Sequence, residues 1–133
     1  MGLFSRMNNT NGTSDEVKKR KIQIYACDMR DGQQSLYATR FRIEDMIPIM
    51  GKMDELGLES VECWGGAVPD VCVRYLNEDP WERLRIIRKY MPKTKLMCLI
   101  RGSNLVGYRQ YPDDITERFI TKAAENGMDI FDE

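Results

Sequence analysis

The stretch "DPWERLRIIRKYMPKTKLMCLIRGSN" (residues 79–104) carries a helix, its stop and the strand that follows, and its reading decides the fold class. Asp79 suits an N-cap, Pro80 suits the first helical position, and Glu82 is spaced to close a capping box. Trp81, Leu84, Ile87 and Met91 recur at helical spacing and make one apolar face, which Pro92 ends. "KLMCLI" (residues 95–100) is then too short and too continuously apolar for a surface helix and reads as a buried strand. Polar residues follow at once in "RGSN".

The same alternation extends in both directions. Upstream, "LESVECW" (residues 58–64) is a strand ending at Gly65-Gly66, and "PDVCVRYLNE" starts a short helix with Asp70 as its N-cap. Further back, Ile43, Met46, Ile47, Met50 and Met53 form a core-facing helical stripe stopped by Gly57. Pro48 fits a helix that begins near Asp45 and otherwise implies a kink. "IQIYAC" (residues 22–27) is the first strand. Downstream, "DDITERFITKAAENG" is a helix capped by Asp113 or Asp114 and stopped at Gly127, and "MDIF" (residues 128–131) is a fourth strand. Apolar strands alternating with amphipathic helices predict βαβ units and a parallel α/β sheet. A doubly wound sheet and a (β/α)8 TIM barrel both fit this order. Four strands are half a barrel, because a complete one takes about 250 residues.

The 133-residue chain is long enough for one domain, and its 42% hydrophobic and 31% charged content reads as soluble and globular. A net charge of −1 gives no basis for nucleic acid or an anionic membrane as partner. No run approaches the roughly 20 apolar residues of a membrane span, so no membrane insertion is expected. Residues 1–21 read as a disordered polar tail ending in a basic cluster, and residues 22–133 as the folded domain. Gly2 lacks the Ser or Thr that a myristoylation pattern wants where Arg6 stands, and the Asn8 and Asn11 glycosylation patterns lie in this tail without a secretion signal. Cys27, Cys63, Cys72 and Cys98 show no CxxC spacing and read as small buried hydrophobes in a reducing cytoplasm. The absence of histidine removes the commonest general base and metal ligand.

Three strands are each followed by an unusual polar cluster: Arg30-Asp31-Gly32-Gln33-Gln34-Ser35, then Trp64-Gly65-Gly66 with Asp70, then Arg101-Gly102-Ser103-Asn104 with Tyr108. In parallel α/β folds the strand C-termini share one face, and active sites form there. Arg30 and Arg101 can bind a carboxylate or stabilise an enolate. Asp31 can ligate a hard metal, and Gln34 and Tyr108 can orient a small polar substrate. No nucleophile–base pair is present, which disfavours acyl-enzyme chemistry.

"RDGQQSLYATR", "ECWGGAVPDVCVRYLNEDPWERLR" and "RGSNLVGYRQY" resemble the carboxyltransferase domain of biotin-dependent enzymes acting on pyruvate and oxaloacetate. This family takes in pyruvate carboxylase (including its separate B subunit), the oxaloacetate decarboxylase alpha subunit and the carboxyltransferase subunit of methylmalonyl-CoA transcarboxylase. The resemblance covers about residues 22–131 and implies the N-terminal half of a (β/α)8 barrel. It implies an oligomeric enzyme that moves a carboxyl group between pyruvate or oxaloacetate and biotin on a carrier protein or domain. It implies a divalent metal (zinc, manganese or cobalt) with Asp31 as one ligand, and an enolate stabilised by Arg30. Gln34 and Arg101 match the pyruvate-binding pair, and Tyr108 and Asp70 line the same pocket.

The sequence departs from the family at Gln33, where RDxHQS has histidine. The carboxylated lysine, the His-x-His pair and the proton-shuttling threonine of the later barrel have no counterpart in this chain. The expectation is therefore a fragment or truncated product that is inactive alone. RDGxQ also occurs in metal-dependent barrels that join or cleave acyl-CoA and oxoacids, the alternative class, although ECWGG and RGxNxxGY speak against it. A non-catalytic half-barrel remnant is the third reading.

Overall fold

The computed structural model describes residues 21–133, so the expected tail lies outside the described residues except for Lys21. The patterns at Gly2, Asn8 and Asn11 lie outside them too.

The elements in chain order are β1 (Tyr25–Ala26), a π-helical turn (Asp28–Gly32), α1 (Gln33–Tyr37), α2 (Ile43–Asp54) and β2 (Ser60–Gly65). Then come α3 (Val68–Val71), a second π-helical turn (Cys72–Leu76), α4 (Pro80–Tyr90), β3 (Lys95–Leu99), α5 (Asp113–Glu125) and β4 (Ile130–Asp132). All strand pairs are parallel, in the order β1-β2-β3-β4. A doubly wound sheet reverses its order at a switch point, whereas barrel strands follow the chain sequentially. The sequential order resolves the ambiguity of the sequence in favour of a part of a (β/α)8 barrel.

The core lies between the sheet and the helices. Met46, Met50 and Met53 of α2 and Leu84 and Ile87 of α4 pack with Val61, Leu96 and Cys98 of the strands. The expected apolar stripes are thus the faces that fold inward. Trp64 also turns toward the helices, 5.0 Å from Trp81 and stacked on Phe119 at 5.7 Å, with its indole N–H donated to the Pro80 carbonyl.

A register shift between Glu62 and Trp64 makes that placement compatible with the site. Residues two apart on a regular strand share a face. The bulge breaks this alternation, so Trp64 joins the helices while Glu62 reaches Arg30.

Several local expectations need correction. β1 pairs with β2 over two residues only, and Cys27 beyond it is exposed rather than buried. There the chain has already turned, and the Cys27 carbonyl accepts the N–H groups of Arg30 and Gly32. β4 begins two residues late because Gly127 and Met128 form the turn that closes the C-terminus of α5. The Met128 N–H bonds Ala123 and that of Gly127 bonds Ala124, a Schellman closure with Gly127 at φ +108°. Asp79 caps α4 through the Trp81 N–H at 2.8 Å, but Glu82 pairs with Arg85 instead of closing the box. Pro112, not Asp113 or Asp114, holds the cap position of α5, and Ala67, not Asp70, that of α3. α2 begins at Ile43, so Pro48 lies in its interior, where it cannot donate to the Glu44 carbonyl.

Candidate active site

The strand C-termini deliver three loops to one face. The first is the π-helical turn after β1, whose wide winding, closed by the Gly32 N–H on the Cys27 carbonyl, turns Arg30 toward β2. Arg30 donates its Nε–H to Glu62 at 2.5 Å and its Nη1–H to Asp31 at 3.1 Å. Its side chain is 11% exposed and that of Glu62 5%, whereas Asp31 is half exposed.

The paired glycines after β2 create the room for this loop. A Cβ on Gly65, at φ +88°, would stand 2.1 Å from the Leu99 carbonyl oxygen. A Cβ on Gly66, at φ +54°, would press on Arg30 Cδ at 3.3 Å and Gln34 Oε1 at 3.2 Å. Only glycine permits both the turn and the approach. Gln34 accepts the Ala67 N–H at 3.5 Å, which ties α1 to the start of α3.

The third loop follows β3. Its backbone closes through Arg101 N–H to Leu105 at 2.8 Å and Tyr111 N–H to Ser103 at 2.9 Å. Arg101 donates to the Gly107 carbonyl at 3.0 Å, with its guanidinium 5.6 Å from the Tyr108 ring centre. Tyr108 donates its hydroxyl to Asp70 at 3.3 Å, and Arg74 grips the other Asp70 oxygen at 2.7 Å. Asp70, Arg74, Tyr108, Arg109 and Tyr111 border a cavity of about 390 Å³.

The structure thus brings Arg30, Asp31 and Gln34 together, and separately Arg101, Tyr108 and Asp70. Among the described residues no hydrogen bond joins the two sets; α3 spans them, bonded to Gln34 just before its start and carrying Asp70 within it. Gln33 is withdrawn from the site: it is buried and donates to the Met29 carbonyl at 2.6 Å.

Glu62 and Arg74 are the participants that sequence reasoning does not single out. A signal exists for Glu62, because an acid inside an otherwise apolar strand demands a partner. Arg74 follows Asp70 by one helical turn, the spacing at which opposite charges meet.

Burial pushes the Cys63 thiol up to about 12 and raises that of Cys98 as well, so neither is a thiolate nucleophile. Among the described residues no three His, Cys, Asp or Glu side chains converge. Even an open zinc site takes about three protein ligands. These residues by themselves therefore do not fit a divalent metal; they offer it one exposed carboxylate, Asp31, already shared with Arg30.

No protein-family model matches the chain. It is 62% identical over 110 residues to the B subunit of pyruvate carboxylase from Methanocaldococcus jannaschii, a match covering 83% of this chain and 19% of that protein. It is 54% identical over 112 residues to the methylmalonyl-CoA carboxyltransferase 5S subunit of Propionibacterium freudenreichii, covering 84% of this chain and 22% of that one. The carboxyl transferase domain of Rhizobium etli pyruvate carboxylase, solved with pyruvate and biocytin, superposes with a TM-score of 0.79 at 46% identity. That superposition covers 85% of this chain and 20% of the other. The chain spans about a fifth of the length of the relatives it matches. Identity of this degree over more than four fifths of the chain, with a superposable fold, places the chain in the carboxyltransferase family of pyruvate carboxylase and the methylmalonyl-CoA carboxyltransferase 5S protein.

Proposed function

We propose that residues 22–133 form the oxoacid-binding part of a carboxyltransferase site, in which a carboxyl group passes between pyruvate and biotin presented by a carrier protein or domain. The observation that carries this reading is the posture of Arg30. Glu62 and Asp31 occupy its Nε and Nη1, and Nη2 has no hydrogen-bond partner among the described residues. A guanidinium edge so placed can receive a carboxylate or the oxygen of an enolate. Arg101, one loop away, offers a second guanidinium, and Gln34 and Tyr108 offer polar groups that fix orientation.

In the carboxylating direction pyruvate loses a methyl proton to become the enolate, and the proton ends on the biotin nitrogen that gives up the carboxyl group. The enolate carbon forms a C–C bond to the carboxyl group as the C–N bond of carboxybiotin breaks. The part of these residues is to bind the oxoacid, orient it and favour the negative oxygen. Asp31 in this reading supplies one ligand to a divalent ion (zinc, manganese or cobalt), and the remaining ligands come from outside the described residues. The edge strands β1 and β4 each lack a partner on one side among the described residues, which suits continuation of the barrel beyond them.

Binding of pyruvate and its analogue oxamate to the intact protein, by titration calorimetry, tests the reading. The expected result is saturable binding of both, weakened about tenfold or more in Arg30→Gln. Binding of neither, or equal binding by the variant, would contradict it.

A further inference from the structure

The posture of Arg30 depends on one residue. Glu62 is 3% exposed, in a strand whose every residue is buried, and the single hydrogen-bond partner of its carboxylate among the described residues is Arg30. A buried carboxylate without a partner is strongly disfavoured. Conversely, Arg30 without Glu62 retains only Asp31, a half-exposed neighbour in sequence that solvent can compete for.

The strand is distorted at this point. Without the bulge, Glu62 and Trp64 would share a face, and the sheet could not direct one to the loop and the other to the helices. Gly66 adds a floor, since a Cβ there would displace Arg30 Cδ. Three features of β2 and its end therefore converge on one guanidinium. Buried side-chain polar atoms left without partners among the described residues are confined to Gln33 Oε1 and Arg83 Nε. The unpaired Nη2 of Arg30 is thus not sealed in protein and meets solvent.

We propose that Glu62 is the positioning residue of the site: from inside the sheet it fixes the Arg30 guanidinium so that Nη2 faces the oxoacid. The proposal rests on the carboxyltransferase reading. A guanidinium locked through Nε holds its remaining donor nitrogen in one orientation, which suits stabilisation of a developing enolate oxygen.

The experiment compares wild type, Glu62→Gln and Glu62→Ala in the intact protein, with two readouts. One is the exchange rate of the Arg30 Nε–H with water by NMR, assigned by its disappearance in Arg30→Lys. The other is kcat/KM for oxaloacetate decarboxylation, measured well below each variant's melting temperature. The expected result is a protected Nε–H in wild type that exchanges freely in Glu62→Ala. A drop in kcat/KM of about 100-fold should accompany it, mostly in kcat, with partial recovery in Glu62→Gln, whose amide oxygen can still accept. Should Glu62→Ala not fold, Glu62→Gln alone decides by a drop of about tenfold. Wild-type turnover in folded Glu62→Gln, or an unprotected Nε–H in wild type, would overturn the proposal. A protected Nε–H in a wild-type protein with no decarboxylase activity would refute the carboxyltransferase reading and leave the Glu62–Arg30 positioning standing.

Discussion

The Tyr108 hydroxyl reaches from the loop after β3 to the Asp70 carboxylate on α3, 3.3 Å away, and so couples two loops that the sequence separates by 38 residues. Tyr108 is largely exposed, so the bond does little for folding. Tyr108→Phe should leave stability within about 0.5 kcal/mol of wild type. It should raise KM for the oxoacid several-fold, because Arg101 loses the ring's fixed position. Melting curves and steady-state kinetics read the two effects separately. A fall in stability with unchanged KM would assign the pair to structure alone.

Glycine positions should behave oppositely according to their surroundings. Gly65→Ala drives a methyl group into the Leu99 carbonyl at φ +88° and should cost more than about 4 kcal/mol, so that little soluble protein is recovered. Gly51 lies inside α2 with nothing within 4 Å of where an added methyl group would stand, and Gly51→Ala should raise stability by about 0.5–1 kcal/mol. Urea denaturation of both variants checks the contrast.

Acid should loosen the joint between α2 and β3. Asp54 accepts the backbone N–H groups of Lys93 at 3.0 Å and Thr94 at 2.8 Å. Burial pushes its carboxyl up, but these hydrogen bonds outweigh burial and hold it below the ordinary value. A carboxyl lowered on folding contributes stability that is present above the unfolded pKa and lost as pH falls through the folded one. Asp54→Asn should therefore flatten the acid limb of a stability profile taken from about pH 6 to about pH 2. An unchanged acid limb would remove Asp54 from the account.

Thiol chemistry should distinguish Cys27 from the other cysteines. Cys27 is exposed, whereas Cys63, Cys72 and Cys98 are buried with thiols that burial raises. A thiol reagent should modify one cysteine per native chain quickly and the rest only on unfolding, with mass spectrometry locating the fast site at Cys27.

Which features are legible in the sequence follows from the range of the forces involved. The stripe Trp81, Leu84, Ile87 and Met91 and the run at residues 95–100 announce a helix and a strand because their periodicity is local. Strand order is a long-range property, and it is the pairing of β3 with both β2 and β4 that separates a barrel from a doubly wound sheet. The cap of α5 falls at Pro112, one residue before the expected aspartates, and no side chain there accepts a backbone N–H. In the candidate site, Arg30 and Arg101 are visible as charged residues after apolar strands. Glu62 is visible only as an acid in an apolar strand that needs a partner; that the partner is Arg30 depends on a bulge that the sequence does not announce. Cys27 reads as core from its apolar neighbours, yet it is exposed because β1 stops at Ala26.

The central claim is that these loops bind an oxoacid for carboxyl transfer. Its most direct test is decarboxylation of oxaloacetate by the intact protein with and without added biotin, in wild type and Arg30→Gln. The account predicts pyruvate formation that rises with biotin in wild type and falls at least about 100-fold in the variant. Pyruvate formation independent of biotin, or undiminished in Arg30→Gln, would contradict it.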